Sequence, residues 1–340
     1  MRRVRARVER LCPSSADVLR VFYRRWQARQ HARDLLPIKA RPTSPHQILC
    51  FLAVRDEMMR LPDFLRHYRS LGVDRFVCVD NGSVDGTADF MADQPDVDLF
   101  ATSSPFARAR GGAFWLSGLA RGRYADHWGV MADADELLVY DGCERHGLGD
   151  LVHVLEAGGQ RSLPAMLLDM YPAGPLRAAI PSRDQRLTEI CPLFDGRGYE
   201  PIGEDAAGTR TRIRKFRGGP RQRLFSCPGR TFYVELGKTP FARWSKDITL
   251  FDSHTVHPFD LNFVSPTGIL LHFKLMSDLV ERAETAVHRR SYFNDSKAYR
   301  EALPLLQSLP DLSAVWEESR RYEGSASLVE AGLMSAIDWP

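Results

Sequence analysis

The sequence predicts an α/β fold, in which a doubly wound mixed sheet carries helices on both faces and is followed by a helical C-terminal part. Short apolar runs alternate with segments of helical periodicity, and polar turn residues follow the apolar runs. Strands that alternate with helices form βαβ units, which build a mostly parallel sheet. The 340 residues are 44% hydrophobic and 26% charged, which suits a globular enzyme of one large domain or two small ones.

The first strand is predicted at residues 48–54 (ILCFLAV), and a helix follows it. Apolar residues recur in that helix at spacings of three and four before Gly72 ends it: Leu61, Phe64, Leu65, Tyr68 and Leu71. A second strand is predicted at residues 76–79, before a turn at residues 80–86. Because ligands bind where the carboxyl ends of parallel strands meet, we expect the side chains that follow these strands to form a site.

A third apolar run delivers acidic side chains to a strand end, at residues 129–138 (GVMADADELL). Alternation along an extended chain predicts that Asp133 and Asp135 point to one side, with Glu136 orienting a ligand or capping the next turn. Two carboxylates repel a nucleotide diphosphate unless a divalent cation bridges them, and oxygen ligands suit Mg²⁺ or Mn²⁺. The motif therefore predicts a metal and diphosphate site, and a solvated acidic turn is the alternative.

In this order and spacing, the chain resembles the bacterial family 2-type glycosyltransferases, which have the GT-A (nucleotide-diphospho-sugar transferase) fold and an Asp-x-Asp motif. The first segments that carry the resemblance are 54–57 (VRDE), 61–87 (LPDFLRHYRSLGVDRFVCVDNGSVDGT) and 128–138 (WGVMADADELL). Later segments resemble one bacterial branch of the group: 218–225 (GGPRQRLF), 238–244 (KTPFARW) and 270–274 (LLHFK). The resemblance covers roughly residues 46–300.

The resemblance implies transfer of a sugar, with inversion, from a nucleotide-diphosphate sugar to a glycan or lipid-linked acceptor. A UDP-sugar is the favoured donor, and Mn²⁺ or Mg²⁺ is the implied metal. Asp80 matches the residue that contacts the nucleoside, and Asp85 lies in the same loop. Asp133 and Asp135 match the motif that meets the ribose, the diphosphate and the metal, with Asp135 as the more direct ligand.

Basic residues and a histidine from the later segments extend the predicted site. Arg221 and Arg223 belong to a basic tract that would neutralise a leaving diphosphate or hold an anionic acceptor, with a solvated loop as the alternative. Lys238 and Lys274 are assigned to the donor phosphates. His272 matches a late histidine that completes the metal shell in GT-A enzymes, and a structural histidine is the alternative.

Inverting transfer also requires a carboxylate that removes the proton from the acceptor hydroxyl. Asp169 is the preferred base, because it ends a strand predicted at residues 165–171 and a base must be held rigidly. Asp195, Glu204 and Asp205 are the alternatives by position. The two latter residues lie within residues 172–230, which are rich in Pro, Gly and Arg and are predicted to form a long functional loop.

The charge distribution separates an N-terminal arm from the rest, giving three predicted regions: a basic helical arm (1–45), the GT-A domain (46–300) and a helical extension (301–340). Residues 1–41 contain eleven Arg and one Lys against three acidic residues, a net charge of +9, while the remainder sums to −6. Residues 18–36 fit a helix with several apolar side chains on one side: Val18, Leu19, Phe22, Tyr23 and Trp26. This pattern is typical of helices on anionic membranes.

Two readings of the arm stay open: contact with an anionic membrane surface, or a peripheral helix that packs its Phe and Trp on the catalytic domain. No nucleic-acid partner is predicted, since charge alone is a weak signal. The sequence contains no apolar segment of the roughly 18 to 20 residues that span a bilayer and no apolar signal core. We therefore expect a cytoplasmic protein. If the arm contacts an anionic membrane surface, we expect a peripheral position on the inner membrane face.

Two other functional classes compete with glycosyl transfer. A nucleotidyltransferase or pyrophosphorylase also combines a nucleotide-binding α/β sheet with a metal on acidic residues, but here residues 54–57 are acidic where a triphosphate-binding loop would be basic. A non-catalytic nucleotide-sugar-binding scaffold would keep the fold without turnover. Against it, the acidic residues at 80, 133 and 135 are all present.

Overall fold

A computed structural model of the chain describes residues 15–205, 212–289 and 293–340. The helices are α1 (Ser15–Arg33), α2 (Leu61–Ser70), α3 (Thr87–Ala92), α4 (Ala113–Arg121), α5 (Leu148–Ala157), α6 (Leu187–Ile190), α7 (Gly219–Phe225), α8 (Leu279–Arg289), α9 (Phe293–Ser308) and α10 (Ser325–Glu330). The strands are β1 (Leu36–Lys39), β2 (Leu49–Val54), β3 (Arg75–Asp80), β4 (Val97–Ala101), β5 (His127–Met131), β6 (Glu136–Val139), β7 (Ser162–Asp169), β8 (Leu193–Asp195), β9 (Tyr199–Asp205), β10 (Arg212–Gly218), β11 (Gly237–Trp244), β12 (Thr249–Leu250), β13 (Val256–His257), β14 (Gly268–His272) and β15 (Ser319–Arg321).

The largest sheet in the described residues has nine strands, in the order β1-β4-β3-β2-β5-β11-β7-β14-β6. Strands β4, β3, β2, β5, β7 and β14 run in one direction, and β1, β11 and β6 run against them. The predicted mixed α/β fold with a mostly parallel central sheet is confirmed. The predicted strand end at residue 54 matches β2, and β3 extends one residue beyond the predicted end at residue 79. Strand β7 ends at Asp169 and begins three residues before the predicted start at residue 165.

Both faces of the central strands are covered, as the continuous apolar runs predict. In β2, Cys50 and Leu52 contribute to one hydrophobic cluster, and Leu49 and Phe51 contribute to another. Successive strand residues point to opposite faces, so one strand supplies two cores. Helices α2 and α5 pack on the first face and α4 packs on the second. This arrangement holds the strand ends rigidly, which is what positions a site at the edge of the sheet.

Residues 172–230 form short elements where the sequence predicts one long loop. The described part contains α6, β8, the paired strands β9 and β10, and α7. The prediction of one long loop is wrong. These elements are mostly three to seven residues long, which is too short for a helical or strand-like hydrophobic periodicity to be recognised in a segment rich in Pro, Gly and Arg. Residues 206–211 lie outside the described residues, and they include the first two residues of the predicted basic tract at residues 210–223.

The C-terminal part packs on the same core as the sheet. Leu306, Leu328 and Ile337 belong to the cluster that includes the first face of β2. Strand β15 pairs with β8, and Pro304 lies inside α9. Among the described helices, none is long and apolar enough to cross a membrane.

Helix α1 packs against α4 through its small residues. A Cβ atom on Gly118 would overlap the carbonyl oxygen of Ala28, so only glycine allows the two helices to approach this closely. Val21 and Ala28 are buried, whereas Phe22 and Trp26 are exposed. The reading in which the helix packs its Phe and Trp on the catalytic domain is therefore wrong, because the helix packs through its opposite face. Residues 1–14 of the predicted arm lie outside the described residues.

A half-buried histidine on α2 links stability to pH. His67 Nε2 donates to the carbonyl oxygen of Leu138 at 2.8 Å, and burial lowers the pKa of His67 to about 4. The unfolded chain, with an ordinary pKa near 6.5, binds this proton first, so the contribution is complete above pH 6.5 and is lost as the pH falls toward 4. Between pH 7 and pH 5 we expect the parent to lose about 1 to 2 kcal/mol more than His67→Gln, measured by urea unfolding. An equal loss in both proteins would contradict this linkage.

Candidate functional site

Acidic side chains and a histidine lie at the carboxyl edge of the central sheet. Strand β3 ends at Asp80, β7 ends at Asp169 and β14 ends at His272. Asp135 lies in the turn between β5 and β6. The register places His272 beside Asp169 on one side and beside Glu136 on the other. The structure therefore brings together Asp135, Asp169 and His272, which are up to 137 positions apart in the sequence.

His272 bridges two buried carboxylates. Its Nδ1 lies 2.6 Å from Asp169 Oδ1, and its Nε2 lies 3.7 Å from Asp135 Oδ2. Burial lowers the pKa of His272, although both carboxylates favour its charged form. A neutral ring that donates from Nδ1 to Asp169 presents the lone pair of Nε2 toward Asp135. Two electron-pair donors then face each other across this gap.

Asp169 is a fully buried carboxylate with strong partners on both oxygens. Arg221 Nε donates to Oδ1 at 2.9 Å and to Oδ2 at 2.8 Å, in addition to the contact with His272. Burial opposes its ionisation, but Arg221 and His272 outweigh burial and lower the pKa of Asp169 to about 2. A carboxylate held in this way is a weak base and a good orienting group for an imidazole. The assignment of Asp169 as the base stays a prediction, and these contacts favour a positioning role.

Asp135 lies at the end of a buried ion-pair network that the sequence does not reveal. Arg282 on α8 lies 3.5 Å from Asp135 and 3.2 Å from Glu57, measured from Nη2 to carboxylate oxygens. Arg60 lies 2.8 Å from Asp278 and 3.4 Å from Glu57. Burial alone would raise the pKa of Asp135, but His272 when it is protonated, together with the charged Arg282, Lys274 and Arg60, holds that pKa well below its usual range. Asp135 is therefore ionised.

The two aspartates of the Asp-x-Asp motif have different environments. Asp135 is buried, whereas the side chain of Asp133 is 56% exposed. The segment between β5 and β6 is a turn, so the predicted strand-like alternation stops at Met131. Glu136 caps this turn, because its Oε2 accepts from the backbone N–H of Asp133 at 3.0 Å. This contact matches the capping role that the sequence allows for Glu136.

Lys238 neutralises the same turn. Its Nζ lies 2.5 Å from Glu136 Oε2 and 3.5 Å from Asp133 Oδ2. Burial disfavours its charge, but Asp133 and Glu136 outweigh burial and raise the pKa of Lys238. Lys238 is therefore occupied in structural ion pairing, and its contact with a donor phosphate stays a prediction.

Asp80 and Asp85 organise the loop after β3. Asp80 Oδ2 accepts from the backbone N–H groups of Gly82 at 3.0 Å and Ser83 at 3.2 Å. Asp85 accepts from Thr87 N at the start of α3 and from Met58 N, both at 3.0 Å. This loop is thereby joined to residues 55–58, which follow β2. Asp80 lies at the sheet edge, whereas Asp85 is occupied in capping and bridging.

The remaining predicted basic residues, Arg221, Arg223 and Lys274, differ in how far they are already engaged in contacts within the protein. Arg223 donates to Asp195 at 3.0 Å and lies 4.6 Å from the ring centroid of Trp316, so it ties α7 to the C-terminal part. Arg221 Nη2 is buried and has no hydrogen-bond partner among the described residues. Lys274 Nζ lies 5.2 Å from the ring centroid of Tyr299. Arg221 is thus the arginine with hydrogen-bonding capacity left over at the site.

The residues fit a divalent cation that is shared with a ligand. In residues 15–205, 212–289 and 293–340, no three His, Cys, Asp or Glu side chains form a ready metal cluster. Mg²⁺ in nucleotide enzymes is commonly held by one or two carboxylates, with phosphate oxygens and water completing its shell. Asp135 and His272, which face each other, suit such a partial site. Asp133 is the exposed carboxylate nearest to them in sequence.

A cavity of about 440 Å³ adjoins the site but does not contain the Asp135–His272 pair. It is lined by residues of β7, β11, the segment before β14 and the C-terminal part, and it shares Lys238 with the site. A much smaller cavity, of about 20 Å³, lies beside Asp133, Gly111 and Met131. The larger cavity therefore provides room next to Lys238, whereas Asp135, Asp169 and His272 are buried outside it.

Sequence reasoning missed the cations and acids that surround Asp135. Arg60 and Asp278 carry no motif, and each precedes an amphipathic helix. A signal existed for Arg60, since it lies between an acidic segment and the start of a helix whose apolar face is buried. Its closest ion-pair partner, Asp278, lies 218 positions later, and such pairing is not visible in one sequence.

Comparisons with known proteins do not assign the chain to a family. No protein-family model matches the chain. No curated protein matches it either. One solved structure that resembles it is a crystal structure of 4-diphosphocytidyl-2C-methyl-D-erythritol synthase, with 12% sequence identity, coverage of 75% of this chain and 85% of that chain, and a TM-score of 0.27. A likeness at this TM-score supports no inference about the function of this chain.

The Asp169–His272 contact leads to a prediction about metal affinity. If Asp169 positions His272, Asp169→Asn weakens Mn²⁺ binding by about 10 to 100-fold, measured by calorimetric titration of Mn²⁺ into the full chain. Asp195→Asn is the matched control, because Asp195 is also a buried carboxylate paired with an arginine. Unchanged Mn²⁺ affinity in a folded Asp169→Asn protein would remove the positioning role and favour Asp169 as the base.

Proposed function

We propose that this protein is a metal-dependent glycosyltransferase that moves a sugar from a nucleotide-diphosphate sugar, with a UDP-sugar as the favoured donor, to a hydroxyl of a glycan or lipid-linked acceptor, with inversion. The observation that carries the proposal is the facing pair of Asp135 Oδ2 and His272 Nε2, 3.7 Å apart at the carboxyl edge of a mostly parallel sheet. Nucleotides bind at this edge in open α/β sheets.

The residues around this pair suit the parts of such a donor. Asp80 lies at the end of β3, at the same edge of the sheet, and is assigned to the nucleoside. Asp133, which is exposed, is assigned to the ribose and diphosphate. Lys238, Lys274 and the partly unsatisfied guanidinium of Arg221 supply positive charge for the phosphates. Asp85 and Arg223 support the loops that carry these groups.

A divalent cation would be held by Asp135 and His272, with Asp133 as a further oxygen ligand. There it would supply Lewis-acid stabilisation of the negative charge that develops on the leaving diphosphate. Asp169 keeps His272 in the orientation that presents Nε2, through the hydrogen bond to Nδ1. Arg221 in turn keeps Asp169 ionised. The chain therefore presents one carboxylate and one imidazole nitrogen to a cation, and cationic groups to a diphosphate.

Removal of the central carboxylate tests the proposal. We expect Asp135→Asn to lower Mn²⁺-dependent hydrolysis of UDP-sugars by roughly a thousandfold, because the charge that attracts the metal is lost. The readout is UDP release with and without Mn²⁺. Asp184→Asn, an exposed carboxylate away from the site, is the control and keeps the parent rate. Parent-level, metal-dependent hydrolysis in folded Asp135→Asn would refute this assignment.

A panel of ligands separates the proposal from its rivals. Because a ligand that binds only the folded state raises the melting temperature, we expect UDP or a UDP-sugar to raise it with Mn²⁺ and much less without. A rise with nucleoside triphosphates alone would favour a nucleotidyltransferase. A metal-dependent rise without turnover of any donor would favour a non-catalytic scaffold.

A further inference from the structure

The outer face of α1 is an exposed apolar surface on an otherwise packed helix. It consists of four side chains spaced three or four residues apart: Leu19, Phe22, Tyr23 and Trp26. Leu19 is 68% exposed, Phe22 is 69% exposed and Trp26 is 48% exposed. At 100° per residue these four side chains project from one side of the helix, opposite the buried Val21 and Ala28.

The fold fixes which side of α1 is turned outward. Gly118 admits Ala28 at the crossing with α4, and Arg25 Nη2 donates to the carbonyl oxygen of Asp247 at 2.6 Å. Arg24 lies over the rings of Phe114 and Phe251, at 5.7 and 5.5 Å from their centroids. The inner side of the helix is therefore committed to the domain. The outer face is presented with its aromatic side chains already ordered.

Positive charge surrounds this apolar face. Arg20, Arg29 and Arg33 are exposed on the same helix. The first 41 residues carry a net charge of +9, in a chain whose remaining residues are net acidic. Aromatic and aliphatic side chains flanked by arginines suit the boundary between lipid headgroups and acyl chains.

We propose that the outer face of α1 docks the protein on an anionic lipid bilayer. Leu19, Phe22 and Trp26 insert into the boundary between headgroups and acyl chains, and the arginines contact the negatively charged headgroups. This inference is independent of the chemistry at the sheet edge, since none of these side chains belongs to that site.

Charge decides between a bilayer and other occupants. A second copy of this chain would bring an identical arginine-rich face against the first in a two-fold contact, and like charges would oppose it. Nucleic acid would use the arginines but would leave Leu19 and Phe22 without an apolar partner. An anionic bilayer satisfies both the charge and the apolar side chains.

The experiment is flotation of the full chain with phosphatidylcholine vesicles that contain about 30% phosphatidylglycerol, and with phosphatidylcholine alone. We expect binding to the anionic vesicles that weakens as the salt concentration rises. Phe22→Ser combined with Trp26→Ser is expected to weaken binding at least tenfold. Arg29→Gln combined with Arg33→Gln is expected to weaken it and to reduce its salt dependence.

The matched control is Ile180→Ser combined with Leu309→Ser, which removes two exposed apolar side chains elsewhere and leaves binding unchanged. Insertion has its own readout, because brominated lipid quenches tryptophan at the bilayer boundary. The other tryptophans are buried or half-buried, so the quenching is expected to disappear in Trp26→Phe while vesicle binding persists.

Three results would overturn the proposal. One is absence of the parent protein from floated anionic vesicles. Another is equal binding by the parent and the folded Phe22→Ser, Trp26→Ser protein. The third is a dimer in light scattering that the same double variant converts to a monomer without any vesicle binding by the parent, which would identify a second copy as the occupant.

Discussion

The structure depends on one electrostatic constraint: carboxylates that the sheet gathers at a single buried edge need cations beside them. Asp135 and Asp169 are almost completely buried, and moving such charges out of water is costly unless a partner compensates. Arg221 provides that partner for Asp169, and Arg282 provides it for Asp135. Loss of one member of such a buried pair typically costs about 3 to 5 kcal/mol, so the edge is also where the fold is most sensitive.

The same constraint explains how separate parts of the chain are joined. Arg60 begins α2 and pairs with Asp278 before α8, and Arg282 on α8 reaches Glu57 and Asp135. Helix α8 is thus attached to the first half of the sheet by charge as well as by its apolar face. Arg221 attaches α7 to β7 in the same manner. The candidate site and the tertiary structure therefore share residues at this edge.

The acidic half of the site could be predicted from the sequence, and the cationic half largely could not. Asp80, Asp135 and Asp169 follow apolar runs, so strand periodicity places them at one edge. Arg60 and Arg282 have no such local signal, because their positions follow from pairing between distant helices. Residues 172–230 were unreadable for a related reason: elements of a few residues depend on tertiary contacts rather than on their own periodicity. In α1 the helical periodicity of the apolar residues could be recognised in the sequence. Which side of α1 packs against the domain could not, because it is set by Gly118 on α4.

The close crossing at Gly118 makes α1 part of the rigid body instead of an arm on a tether. Helix α4, which receives α1, covers the second face of the sheet whose edge carries Asp80 and Asp135. The orientation of the outer face of α1 relative to this edge of the sheet is therefore set by the fold. If the protein docks on a bilayer through α1, the sheet edge would lie at a fixed distance and a fixed tilt from the bilayer surface. Acceptors that do not extend to that distance would be excluded by geometry before a binding pocket recognises them.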